Sequence, residues 1–225
     1  MGYLIIILPA FLLSLYAQFK VKSTFNKYSQ VRSLRGNTGA DVAAALLQRN
    51  GMANKVQIEP IAGSLSDNYD PRSHTLHLSE TVYGNNSIAA IGVAAHEVGH
   101  AIQHNQQYGP LELRHAIVPV TNFASSASFP ILLVGMLMNS LNLILVGIIL
   151  FSAVVIFHLV TLPVEFNASR RAVLQLSEAG LISNDEVPMV KKVLGAAALT
   201  YLAATLMAVA NLLYYVMIFM GNSDE

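Results

Sequence analysis

His96-Glu97-Val98-Gly99-His100 lies inside a helix-compatible run, Ala94 to Ala101. Two imidazoles four residues apart sit about 40° from one another around a helix and can hold one metal ion between them. Glu97 is turned by about 100° from His96, too far round to join as a third ligand. It is still within reach of a water on that metal, which is where a hydrolase needs a base. The competing reading makes both histidines ordinary surface or core residues of a helix. A catalytic zinc takes three protein ligands and leaves one position for water, so two histidines are insufficient. His104 continues the i, i+4 series, but it lies about 12 Å from His96 along a straight helix, beyond what one ion with bonds of about 2 Å can span. His104 therefore reads as a helix-end or interfacial residue. Glu165 is the better candidate, because it stands at the end of a long apolar run and Ala168, three residues on, permits close helix packing. Spacing alone leaves Glu165 open between a metal ligand and an interfacial carboxylate paired to Arg170 or Arg171.

The motif needs a helix, and the sequence predicts one from about Ile88 to Asn105, capped by Asn85, Asn86 or Ser87. Ala89, Ala90, Ala94, Ala95, Gly99 and Ala101 make it narrow and apolar nearly all round, which predicts burial. Upstream, Lys20 to Arg35 carries five basic residues and no acid, a solvated arm suited to anionic headgroups. Thr38 and Asp41 form a capping box before an amphipathic helix, Asp41 to Asn50, which Gly51 ends. Val56 to Ile61 reads as a short strand, and turns follow at Gly63 to Asp67 and at Asp70-Pro71. Thr75 to Ser79 alternates like a half-buried strand and reads as an edge that pairs with an extended substrate.

Composition sets the surroundings. With 54% hydrophobic and 12% charged residues and a mean hydropathy of +0.50, the chain does not read as a purely soluble domain. Apolar runs at Tyr3 to Phe19, Ile117 to Met138, Leu141 to Leu162 and Gly195 to Met220 are each long enough to span a bilayer. The first reads as a retained anchor rather than a removed signal, and Ile6 does not suit myristoylation. Pro119 and Pro130 predict kinks in the second run, and a polar helix start follows Pro163. All 13 Lys and Arg residues fall between Lys20 and Arg114 or between Arg170 and Lys192, which predicts a cytoplasmic site with both termini outside. A net charge of zero gives no reason to expect nucleic acid as a partner. The absence of cysteine excludes disulfides and thiolate metal sites, leaving imidazole and carboxylate, a donor set that suits zinc best. The expected fold is a mainly α integral membrane protein with four transmembrane helices, a small α+β cytoplasmic segment and a zincin-like active-site helix. Its segments are 3–19 (first span), 20–116 (cytoplasmic, with the motif), 117–162 (second and third spans), 163–194 (cytoplasmic, with Glu165) and 195–220 (fourth span).

Three blocks carry a family resemblance. Gly63 to Leu78, with Ser66-Asp67-Asn68-Tyr69-Asp70-Pro71-Arg72, resembles the bacterial membrane zinc peptidases called YugP-like neutral zinc metallopeptidases. So do Ala94 to Gln103 and Leu162 to Ala172, the latter reading Leu162-Pro163-Val164-Glu165-Phe166-Asn167-Ala168-Ser169-Arg170-Arg171-Ala172. More distantly, the layout is similar to membrane gluzincins that mature prenylated peptides or degrade damaged membrane proteins. The resemblance implies His96, His100 and Glu165 as ligands of one zinc ion per chain, Glu97 as catalytic base, and a place in the bacterial cytoplasmic membrane. The chain departs from the pattern at two positions. The wider gluzincins often place Asp where Ser169 stands, and the YugP-like pattern usually places Asp where Asn167 stands. Either acid would orient a ligating histidine from behind. Asn167 can accept such a hydrogen bond but adds no negative charge, which points to lower zinc affinity or a less basic site.

The expected activity is endopeptidase hydrolysis, in which Glu97 takes the proton of a zinc-activated water that attacks a peptide carbonyl. The substrate would be a peptide or membrane protein, and the lipid bilayer the other partner. His158, Tyr69, Tyr83, His115 and Arg170 are unranked candidates for stabilising the developing oxyanion. His158 lies in the third run, seven residues before Glu165. An ionisable residue there is a functional candidate by default, against the reading of a histidine packed between helices. Two other classes compete: a metal-binding membrane scaffold or adaptor that hydrolyses nothing, and a transporter using His158. The second is weaker, since the spans otherwise offer mainly Asn and Ser.

Overall fold

The computed structural model describes residues 2–223. It is mainly helical, with one small sheet. In chain order the elements are α1 (Gly2–Ser29), α2 (Gly39–Arg49), β1 (Gln57–Ile61), β2 (Asn68–Asp70), β3 (Thr75–Ser79), α3 (Glu80–Tyr83), α4 (Ile88–Asn105), α5 (Gly109–Leu137), α6 (Leu141–Glu178) and α7 (Val187–Ser223). Four stretches are long and apolar enough to cross a membrane: Leu4–Ser29, Gly109–Leu137, Leu141–Glu178 and Val187–Gly221. The expectation that both chain ends face the outer side of the membrane, opposite the cytoplasm, falls on Met1 and on Asp224-Glu225, which are outside the described residues.

The chain forms two compact units, one of residues 1–18, 109–163 and 200–225, the other of residues 19–108 and 164–199. The first contains the hairpin of α5 and α6. Its turn places Asn139 in the left-handed region at φ +51°, which asparagine tolerates better than most residues. The backbones approach closely, because a Cβ on Gly147 would stand 2.5 Å from Leu132 Cγ and one on Gly135 2.8 Å from Ile144 N. Leu132, Ile144 and Ile148 form the buried seam against Leu212, Tyr215 and Val216 of α7. Large apolar side chains such as Phe123, Phe129, Ile149 and Leu213 remain exposed on this unit.

The second unit holds the extended core. In α2, Val42, Ala43, Leu46 and Leu47 share one buried face, and the Thr38–Asp41 capping box starts the helix. Ser87 caps α4 by accepting from Ala90 N at 3.2 Å. The sheet order is β1-β3-β2, with β1 parallel and β2 antiparallel to β3. This corrects the reading of Thr75 to Ser79 as an edge. Both sides of β3 already carry a ladder, so it has no free edge for a substrate, and the edges belong to β1 and β2.

Two helices also run further than the composition indicates. α6 continues through Pro163 to Glu178 instead of restarting after it. The missing proline N–H removes one helical hydrogen bond. Beyond it, Val164, Ala168, Ala172 and Leu176 recur every four residues and are all buried, so continuing the helix recovers more than the break costs. α7 likewise joins the polar start near Val187 to the apolar run beyond Gly195, a mid-helix glycine costing only about 1 kcal/mol.

Glu186 fastens the start of α7 to the chain after α1. One carboxylate oxygen accepts from Leu34 N and the other from Ser183 N, both at 2.8 Å, and the residue is 3% exposed. Burial alone would raise this carboxyl, but the backbone donors outweigh it and hold it below its ordinary value. Glu186→Gln should lower the unfolding free energy in detergent by about 1–3 kcal/mol at pH 7. A depressed folded pKa gives stabilisation that is complete above the unfolded value near 4.5 and lost as pH falls through the folded one. The gap between wild type and variant should therefore close below that range, as read by denaturation at stepped pH.

Candidate metal centre

The small residues of α4 serve one contact above all. A Cβ on Gly99 would lie 2.7 Å from Ala168 O, so the backbones of α4 and α6 meet there with no side chain between them. Glu165 is three residues before Ala168, on the same side of α6, and the close approach brings its carboxylate onto the histidine face of α4. Glu165 Oε2 lies 3.3 Å from His96 Nε2 and 3.6 Å from His100 Nε2. The imidazoles meet edge to face with centroids 4.8 Å apart. Ligand atoms of all three residues fall within 4.8 Å of one another.

These separations fit a metal. Charge-assisted hydrogen bonds run to about 2.7–2.9 Å. Two ligands held at about 2 Å from a tetrahedral ion are about 3.3 Å apart. Two imidazoles and one carboxylate match zinc by chemistry and leave a coordination position for water. His104 stays outside the group, as its spacing predicts. Its Nδ1 lies 2.9 Å from Tyr69 Oη, and its ring stacks on His74.

Behind the two histidines stands a polar chain. Ser169 Oγ is 3.1 Å from His96 Nδ1, and Gln103 Oε1 is 3.0 Å from His100 Nδ1. Gln103 is fully buried, and its Nε2 donates to Val164 O at 2.8 Å and to Asn167 Oδ1 at 3.0 Å. Two acceptors around Nε2 fix the amide so that Oε1 faces His100. His100 must then donate from Nδ1, which leaves its Nε2 lone pair directed at the cluster. Asn167 Oδ1 also accepts from Arg171 Nε at 2.6 Å, and Arg171 Nη1 donates to Gln106 Oε1. The expectation that Asn167 itself accepts from a ligating histidine is corrected here, because Gln103 intervenes. The sequence reading gave Gln103 no role. Its signal was an amide inside a largely apolar helix, three residues from His100 and so on a neighbouring face.

Glu97 is 8% exposed. Burial pushes its carboxyl above the ordinary range, the neighbouring His96 and His100 pull it back, and Glu165 and Asp67 push it further up. Asp67 is raised by burial as well, against hydrogen bonds from Ser79 N at 2.7 Å and Ser79 Oγ at 3.0 Å. Sequence reasoning gave Asp67 no role either.

The other candidates are elsewhere. Tyr69 Oη is taken up between His104 and His74. Tyr83 packs half-buried against the core. Arg170 is exposed and lines a pocket of about 250 Å³ with Gln106, Asn167 and Arg171. His158, half-buried in α6, and His115 in α5 belong to the other unit, and neither is in the converging group found among the described residues.

The family described as "Putative neutral zinc metallopeptidase" matches residues 3–220 of this chain. A curated relative, the "Putative membrane protease YugP" of Bacillus subtilis (strain 168), is 53% identical over 225 residues, the full length of both chains. No solved structure matches the chain.

Gln103→Leu removes the acceptor behind His100 at nearly constant volume. It should weaken zinc binding by about 10–100-fold, read by competition against a chromogenic chelator, as loss of such outer partners does elsewhere. Unchanged affinity would mean that the amide does not hold the ligand.

Proposed function

The chain belongs to the neutral zinc metallopeptidase family, and on that premise we propose that it is an integral membrane zinc endopeptidase acting on peptides or membrane proteins at the cytoplasmic face. The observation that carries this reading is the convergence of His96, His100 and Glu165 beside a buried Glu97 on the same helix. The three converging residues would hold one zinc ion per chain, with α4 in the role of a zincin active-site helix. When bound, zinc supplies Lewis acidity, which activates water near neutral pH and polarises a carbonyl oxygen.

The chain's own residues supply the rest. Glu97 lies next to both ligand histidines in sequence and projects from the adjoining face, which suits it to take a proton from the attacking water and pass it to the departing amine. Its burial raises its basicity, and the neighbouring His96 and His100 oppose that rise. Ser169 and Gln103 hold the imidazoles in orientation.

In this reading, segments 3–19, 117–162 and 195–220 lie in the bacterial cytoplasmic membrane, and 20–116 and 163–194 lie in the cytoplasm. The support is the apolar exposure of Phe123, Phe129, Ile149 and Leu213 and the confinement of every Lys and Arg to those two cytoplasmic segments. A second reading, a metal-binding scaffold without activity, draws on the neutral partners Ser169 and Asn167, which add no negative charge behind the ligands.

Zinc-loaded full-length protein in detergent should cleave an unfolded protein substrate. Chelation should abolish cleavage, and added zinc should restore it. Glu97→Gln should keep its zinc and lose about 10²–10⁴-fold in rate. Undiminished turnover in zinc-loaded Glu97→Gln would overturn the mechanism. Cleavage that is abolished by chelator and by His96→Ala would eliminate the scaffold reading.

A further inference from the structure

The C-terminal end of α4 and the turn between β2 and β3 border a pocket of about 430 Å³ outside the metal centre. Lys55, Tyr69, His74, His104, Asn105 and Gln107 form its polar lining, and no carboxylate is among its lining residues. Each of these groups can donate a hydrogen bond: an ammonium, a phenol, two imidazoles and two amides. His74 and His104 stack with centroids 5.3 Å apart and planes 21° from parallel. Tyr69 Oη bridges them, at 2.9 Å from His104 Nδ1 and 3.4 Å from His74 Nδ1. His74 and Gln107 also hold left-handed backbone, at φ +51° and +52°. Gln107 does so where α4 ends, with Gln107 N donating to His104 O and Tyr108 N to Gln103 O, and His74 does so in the turn into β3.

The pocket is lined in part by the helix that carries His96 and His100. Ala101, which follows His100 directly, is part of its wall, and His104 is one turn further, about 6 Å along the helix. An extended peptide advances about 3.4 Å per residue, so this distance corresponds to about two residues of substrate. Tyr69 belongs to β2, a sheet edge packed beside α4, which favours a peptide over a lipid headgroup as the source of the group bound.

We propose that this pocket is a substrate subsite for a carboxylate, from an acidic side chain or from the chain's own C-terminus, about two residues from the bond that is cut. The proposal rests on the peptidase reading. It is tested by binding rather than turnover, so that the two can fail separately: cleavage by wild type tests the activity, and differential binding to an inactive variant tests the subsite. The probe is a set of capped hexapeptides with one Glu or Gln walked along the chain, each made as free acid and as C-terminal amide. They are titrated into zinc-loaded, full-length Glu97→Gln protein in detergent.

At one position, Glu should bind about tenfold more tightly than Gln, the usual scale for hydrogen bonds to a charged group. If the C-terminus is the source, the free acid should show that advantage over the amide instead. Lys55→Gln with His74→Asn should abolish it. Both positions are exposed, and asparagine keeps the left-handed backbone accessible, so the fold is retained. Equal binding of every pair, or an advantage that survives the double variant, would overturn the proposal. So would a double variant that binds the peptides normally but loses affinity for phosphatidylglycerol bicelles, since the pocket would then be a headgroup site.

Discussion

Burying the Glu165 carboxylate is the constraint on which the rest of this centre depends. Removing a carboxylate from water costs several kcal/mol unless a positive charge or strong donors meet it. Glu165 is 2% exposed and faces two imidazole nitrogens at 3.3 and 3.6 Å. Gln103 requires the His100 hydrogen on Nδ1, so neutral His100 offers Glu165 only a lone pair at Nε2. A lone pair pointed at a carboxylate repels it. The arrangement becomes favourable when a cation stands between them, either a proton that converts an imidazole to imidazolium or a metal ion. Proton and metal then compete for one set of atoms, the usual coupling of metal affinity to pH.

That carboxylate reaches the histidines only because two helices can touch. Gly99 on α4 and Ala168 on α6 remove the side chains that normally keep helix axes 8–10 Å apart. α6 then contributes through a single run of backbone. Glu165 faces both ligands, Asn167 meets Gln103, Ser169 meets His96, and Arg171 closes the chain by holding Asn167. Continuity of α6 beyond Pro163 is therefore functional in this reading. A break there would free the carboxylate from the residues that fix its height and rotation.

What could be read from sequence was what local chemistry determines. Ser87, Thr38 and Asp41 announce helix starts because a cap is made within three residues, and the two histidines share a face through helix geometry alone. β2 was invisible: it is three residues long, and only its pairing with β3 makes it a strand. The central place of β3 was equally hidden, since β1 and β2 claim its two sides by tertiary contact and a half-buried pattern does not count neighbours. Glu165 stayed ambiguous on spacing because the contact that places it joins residues far apart in the chain. Gln103 and Asp67 were present in the sequence but had no meaning until their partners, Asn167 and Ser79, were adjacent.

The neutral residue at 167 also has an electrostatic rationale. Zinc held by His96, His100 and Glu165 would bring two positive charges, met by the carboxylates of Glu165, of Glu97 on the same helix and of Asp67, which acts electrostatically on Glu97. The set then has no deficit of negative charge for a further acid to fill. A carboxylate at 167 or 169 would leave net negative charge in a low-dielectric region, where an unpaired charge is expensive. Arg171 could offset it, but Arg171 is only half-buried and is partly screened by water. With Asn167, the guanidinium instead binds an amide oxygen whose other partner is Gln103, and the chain that ends on His100 consists of dipoles. The link from Arg171 to His100 therefore acts through orientation: it fixes which nitrogen of His100 carries hydrogen and leaves the charge balance of the centre to its carboxylates.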